Sequence, residues 1–161
     1  MTQTAARPVT HASFTLQRTY PRAPEVVFAA IASPSAKRRW LVEGEGFEVV
    51  SYEPGFGAGA FERSSFRFKG GPLVRNDTVY LDVNENRRII FAYSMSLEGT
   101  PMSSSLVTML LEPAPGGTRL TLTEQGAYLE GFDDVAGREQ GTRELLERLH
   151  QDIERTSSAA Q

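Results

Sequence analysis

The chain has 161 residues, 40% hydrophobic and 23% charged, with a net charge of −3 and a pI near 5.5, which fits one globular domain with a core of its own. It contains no cysteine, so disulfides, thiol nucleophiles and thiolate metal sites are excluded. The acidic balance argues against a nucleic-acid partner, which would require a basic face.

No apolar run is long enough to span a bilayer. Residues 1–12 are polar and lack the apolar stretch of a signal peptide, so a cytoplasmic protein is expected. This segment reads as a loose arm and residues 156–161 as a frayed tail, leaving one domain over 13–155. Residues 13–20 alternate Phe14 and Leu16 with polar neighbours and predict a first strand, ended by Pro21 and Pro24. Pro24 suits the first turn of a helix, with Glu25 near its positive end and Val26, Val27, Ala30 and Ile31 as its stripe. Ser33-Pro34 stops that helix and starts a second, over 35–41, anchored by Trp40.

From Phe47 the period changes to two, predicting strands at 47–53, 58–68, 77–84, 88–97, 105–112 and 118–124. The gaps between them are short and rich in Gly, Pro and Asn, which favours antiparallel hairpins over a parallel sheet. A last helix over 135–155 carries Leu145, Leu146, Leu149 and Ile153 at helical spacing. The predicted class is α+β, a curved antiparallel sheet wrapped around a long C-terminal helix with two short helices after the first strand.

A twisted sheet of this size is not fully covered by one helix, and the space left over is a candidate pocket. Aromatic, Met and branched side chains with a few polar groups make the expected lining: Trp40, Phe61, Arg63, Tyr80, Phe91, Tyr93, Met95, Leu122, Glu124 and Leu146. Tyr93 and Met95 are expected to face the helix. A one-residue slip swaps the two faces of a strand, so the inward set of each strand stays open.

The only histidines, His11 in the loose arm and His150 in the last helix, are too few for a metal centre, and with no Gly-x-Ser-x-Gly elbow they argue against a Ser-His-Asp triad. No metal and no cofactor is expected. Gly55-Phe-Gly57-Ala-Gly59 precedes a strand rather than a helix, so turn geometry explains it better than phosphate binding. Glu62, Asp82 and Glu124 are expected on the solvent side of their alternations; Glu124 would act as a base only if burial raised its pKa. Asp133-Asp134 is expected to cap the last helix. Lys37-Arg38-Arg39 reads as a solvated basic face beside Trp40.

Several motifs in a fixed order point to a family. They are Arg18-Thr-Tyr-Pro-Arg-Ala-Pro24, Ser35-Ala-Lys-Arg-Arg-Trp40, Gly57-Ala-Gly59 before Phe61-Glu-Arg63, and Tyr80-Leu-Asp-Val83 before Arg87-Arg-Ile-Ile-Phe-Ala-Tyr93. The most specific is Gly116-Gly-Thr-Arg-Leu-Thr-Leu-Thr-Glu-Gln-Gly126, followed by Gly131-Phe-Asp-Asp134, Arg138-Glu139 and Gly141-Thr142. Over residues 14–155 the chain resembles the START-like, helix-grip (SRPBCC) superfamily, also called the polyketide cyclase and lipid-transport group. Within it, the chain is similar to the branch named for the activator of heat-shock protein 90 ATPase. Relatives often have a second Trp after the one matching Trp40, where this chain has Leu41.

The resemblance implies a helix-grip fold and a cavity for a small hydrophobic or lipid-like ligand. Binding rather than catalysis is the leading expectation. A polyketide cyclase- or hydrolase-like enzyme in the same cavity and a co-chaperone-like interaction module are the alternatives. A homodimer through an exposed sheet or helix face is compatible with either.

Overall fold

The computed structural model describes residues 8–129 and 134–159. Strand β1 (Val9–Tyr20) leads into helices α1 (Pro24–Ala32) and α2 (Pro34–Lys37) and a single π-helical turn (Arg38–Val42). Strands β2 (Phe47–Glu53), β3 (Phe61–Phe68), β4 (Val74–Asn84), β5 (Arg88–Leu97), β6 (Thr100–Ala114) and β7 (Gly117–Leu129) follow, and then helix α3 (Val135–Ala159). The strands form one antiparallel sheet in the order β1-β7-β6-β5-β4-β3-β2. The sheet curves without closing, and α3 packs on its concave face. The fold is the predicted α+β helix-grip.

Several boundaries differ from the sequence reading: β3 begins at Phe61 rather than 58, β4 at Val74 rather than 77, and β6 and β7 span Thr100–Ala114 and Gly117–Leu129 rather than 105–112 and 118–124. β1 begins at Val9 rather than Ser13, because Val9 to Ala12 pair with Leu129 to Gly126; from residue 9 the expected loose arm is sheet. At the other end α3 runs past Arg155 to Ala159. Gly131, Phe132 and Asp133 lie outside the described residues, but Asp134 is a cap: its Oδ1 accepts the Gly137 N–H at 2.6 Å.

The turns follow from local chemistry. At the β5–β6 hairpin Glu98 and Gly99 both have positive φ, 47° and 82°, the pairing that lets two strands twist correctly around a two-residue loop. In β4, Tyr80 pairs with Phe91 and Asp82 with Ile90, so Leu81 is the extra residue of a bulge. Leu81 points outward while Tyr80 stays buried.

The core lies at the β1–β7–β6 end, where α1 and α3 bring Val27, Ile31, Leu146, Leu149 and Ile153 against Leu16, Leu111 and Leu120. Each such side chain contributes roughly 1.5–3 kcal/mol on burial. Two polar pins hold α3 over the sheet. Tyr20 donates its hydroxyl to the Leu146 carbonyl at 3.0 Å. Arg39 in the π-helical turn donates to both Asp152 carboxylate oxygens, at 2.8 and 3.3 Å. Among the described residues no helix is long and apolar enough to cross a membrane.

Candidate functional site

The inner face of the sheet changes character along its length. On β7 the inward residues run Leu120, Leu122, Glu124; on β6 they run Leu111, Met109, Val107, Ser105, Ser103. The leucine end meets the apolar stripe of α3. Between the sheet, α3 and the π-helical turn lies a cavity of about 350 Å³, within the roughly 300–1,000 Å³ usual for small-molecule sites. Its walls are mostly apolar, and a buried ion pair stands on each side.

The first pair belongs to β7 and α3. Glu124 is 2% exposed, and its carboxylate accepts from Tyr93 (2.9 Å to each oxygen), Ser105 (2.9 Å), Tyr128 (3.1 Å) and Arg138 (3.2 Å). Arg138 also donates to the Tyr93 hydroxyl oxygen at 2.7 Å and to the Ser103 hydroxyl at 2.6 Å. A Cβ at 126 would lie 2.6 Å from the Tyr128 ring, so any larger residue there must displace that ring. Burial holds the Tyr93 hydroxyl far above the usual phenol range. Burial, with the Glu124 charge second, pushes Tyr128 up to about 12. Both phenols are therefore neutral donors at physiological pH, and the carboxylate is saturated with hydrogen bonds.

The second pair joins α2 to β3. Lys37 is 3% exposed and Glu62 6%. Lys37 Nζ donates to Glu62 Oε1 at 3.0 Å and to the Tyr80 hydroxyl oxygen at 2.5 Å, while Tyr80 donates to Glu62 Oε2 at 3.3 Å. Tyr52 (3.2 Å) and the Gly55 N–H (3.4 Å) complete the shell of Glu62. The Lys37 ammonium also lies over the Phe56 and Tyr80 rings, 5.1 and 4.8 Å from their centroids. Burial drives the Lys37 amine below its ordinary pKa, and Glu62 opposes that shift. Burial raises the Tyr80 phenol well above its ordinary value, with Glu62 adding to it.

Of the residues proposed from sequence, Trp40, Tyr80, Phe91, Tyr93, Met95, Leu122, Glu124 and Leu146 border the cavity. Phe61 and Arg63 do not. Phe61 is 61% exposed, and Arg63 faces out toward Asp77, 3.8 Å away. The inward set of β3 is Glu62, Ser64 and Phe66, the opposite phase to the one expected. Glu62 and Glu124, expected in solvent, are buried because each has a cationic partner inside. Asp82 does face solvent, paired with Arg88 at 2.5 Å.

Lys37 and Arg138 were missed as site residues. Lys37 sat inside a basic run expected to be solvated, although it precedes Trp40 by three residues and so shares that anchor's helical face. Arg138 had no signal except its place in the family motif. Leu41, where relatives often have a second Trp, borders the cavity.

The family described as "Activator of Hsp90 ATPase homolog 1-like protein" matches residues 21–154 of the chain. The structure is similar to that of Mll3558 from Rhizobium loti, at 46% identity over 90% of this chain and 99% of that one, with a TM-score of 0.83. It is also similar to an uncharacterized protein from Rhizobium leguminosarum, at 36% identity over 94% and 99% of the two chains, with a TM-score of 0.89. DynU16, a protein of the dynemicin biosynthetic locus, shares the fold at 19% identity over 88% of this chain and 47% of that one, with a TM-score of 0.66. No curated protein matches the chain.

Proposed function

The chain belongs to the activator of Hsp90 ATPase homolog 1-like family, and we propose that it binds a small, mostly apolar molecule carrying one or more oxygen functions in the cavity between sheet and α3. One observation carries this reading: a largely apolar cavity of about 350 Å³ has buried ion pairs, Lys37–Glu62 and Arg138–Glu124, on its walls. A solid core would be cheaper. Buried ion pairs cost desolvation that their attraction rarely exceeds by much, and apolar replacements of equal volume are often more stable. Polar groups retained at such expense beside an open space fit ligand orientation better than stability.

The chain supplies its own reporter, because its single tryptophan, Trp40, borders the cavity. Titration with benzylacetone, the matching secondary alcohol and a medium-chain methyl ketone is expected to shift Trp40 emission saturably at one site. Native mass spectrometry of the freshly purified protein would show whether a molecule of this class is already bound. Unchanged emission with every probe, together with an empty mass spectrum, would remove the reading.

A cyclase- or hydrolase-like enzyme in the same cavity is a second reading. It draws support from the lysine, carboxylate and phenol held within hydrogen-bond distance of one another at Lys37, Glu62 and Tyr80.

A further inference from the structure

The chain has fifteen arginines and only two lysines, Lys37 and Lys69. Lys69 is exposed in the β3–β4 turn. Elsewhere among the described residues the buried and half-buried ion pairs, such as Arg39–Asp152 and Arg138–Glu124, use arginine, whereas Lys37 pairs with Glu62. Arginine is the better residue for a purely structural buried pair, since its planar fork makes two bonds at once and its charge is permanent. An amine differs in being able to lose its proton and attack a carbonyl carbon. Lysine therefore stands at the wall of the cavity, in a chain that uses arginine almost everywhere else.

Its surroundings match that chemistry. Glu62 is placed to take a proton from Nζ, and the Tyr80 hydroxyl touches both groups at 2.5 and 3.3 Å. The rings of Phe56 and Tyr80 keep the amine out of bulk water. We propose that Lys37 is a covalent capture site, whose amine condenses reversibly with the aldehyde or ketone carbonyl of an apolar ligand in the cavity.

The step balances without an outside reagent. The ammonium passes a proton to Glu62, and the free amine adds to the carbonyl carbon. The nitrogen proton moves to the former carbonyl oxygen through the Tyr80 hydroxyl, giving a neutral carbinolamine. Glu62 returns its proton to that hydroxyl, the C–O bond breaks and water leaves. The product is an iminium cation facing the Glu62 carboxylate, so the site carries the same charges as at the start. The lowered basicity of Lys37 assists the first transfer, because each unit of depression raises the free-amine fraction about tenfold at a pH well below the pKa.

This proposal rests on the cavity being a ligand site, and its test separates the two. The wild-type protein is treated at neutral pH with benzylacetone, hydrocinnamaldehyde or a medium-chain methyl ketone in the presence of cyanoborohydride, and the adduct is mapped by peptide mass spectrometry. With two lysines and the amino terminus as the only alkylamines, the map has few alternatives. We expect Lys37 to be labelled at least about tenfold faster than Lys69. The matching secondary alcohol, which cannot form an imine, should protect Lys37 and leave Lys69 unchanged. Tyr80→Phe should slow labelling while the alcohol still shifts Trp40 emission, and Lys37→Arg should abolish the protected label. Labelling confined to Lys69 and the amino terminus while the same probes shift Trp40 emission would overturn covalent capture and leave the binding site standing. Neither label nor shift with any of the three carbonyl probes, on protein whose native mass spectrum shows no bound molecule, would overturn both.

Discussion

Arg138 sits in the first turn of α3, where a helix's own dipole disfavours a cation by about 0.3–1 kcal/mol. Its guanidinium is nearly buried, with Glu124 buried beside it, so each charge depends on the other. Arg138→Met would leave Glu124 buried against three hydroxyl donors and no cation, a change expected to cost about 3–5 kcal/mol. Adding Glu124→Gln should recover a substantial part of that loss, since the orphaned charge is then gone. Urea denaturation of the two single variants and the double variant measures the coupling; strictly additive losses would mean that the pair does not act as a unit. A neighbouring backbone position tests the same cluster by shape. Gly126→Ala places a methyl 2.6 Å from the Tyr128 ring, which must swing away from Glu124, at an expected cost of about 1–3 kcal/mol in the same assay.

The strands show what the sequence could and could not reveal. On β7 two leucines, Leu120 and Leu122, set the phase, and counting by two places Glu124 inward. The signal was present, but the usual rule that carboxylates face water outweighed it. On β3 the inward phase is Glu62, Ser64, Phe66 and Phe68, with two phenylalanines against Phe61 on the other face. That apolar excess was a signal for the phase, but it places Glu62 inward, and only the partner Lys37 on another element makes its burial possible. Strands 47–53 and 88–97 were legible to the residue because turn residues bracket them, whereas β6 and β7 extend past their predicted ends through serine-rich and glycine-containing stretches. The π-helical turn had no sequence signature. It is held through the Glu43 N–H on the Arg38 carbonyl at 2.8 Å and through the Arg39 grip on Asp152. Asp152→Ala should weaken that grip by about 1.5–3 kcal/mol at most, less where Arg39 is open to water. Hydrogen exchange should then accelerate first at residues 40–43, which carry Trp40 and the cavity wall, while the β6–β7 amides stay protected. Uniform acceleration across the sheet would show that the pin supports the whole fold instead.

At the scale of the whole molecule the same polar interior makes stability depend on pH in a set direction. All five tyrosines, Tyr20, Tyr52, Tyr80, Tyr93 and Tyr128, are raised above the ordinary phenol value, burial being the largest cause in each. Tyr128 is the lowest of them, at about 12. In the unfolded chain each phenol loses its proton near pH 10. Above that pH the folded protein therefore holds more protons than the unfolded one, and stability falls as pH rises, by about 1.4 kcal/mol per pH unit for each proton retained. Lys37 works against this, because its depressed amine releases its proton earlier in the folded state, so its contribution to stability rises with pH up to about 10.5. One lysine is outnumbered by five phenols. A domain with about 5–15 kcal/mol in hand is exhausted within one to a few pH units at that slope. Phenolate absorbance should thus stay flat through pH 10 and then appear together with the loss of far-ultraviolet circular dichroism, in one cooperative step between about pH 10.5 and 12.5. Phenolate appearing near pH 10 while the sheet signal is intact would instead mean that at least one of these hydroxyls reaches water freely in the folded protein.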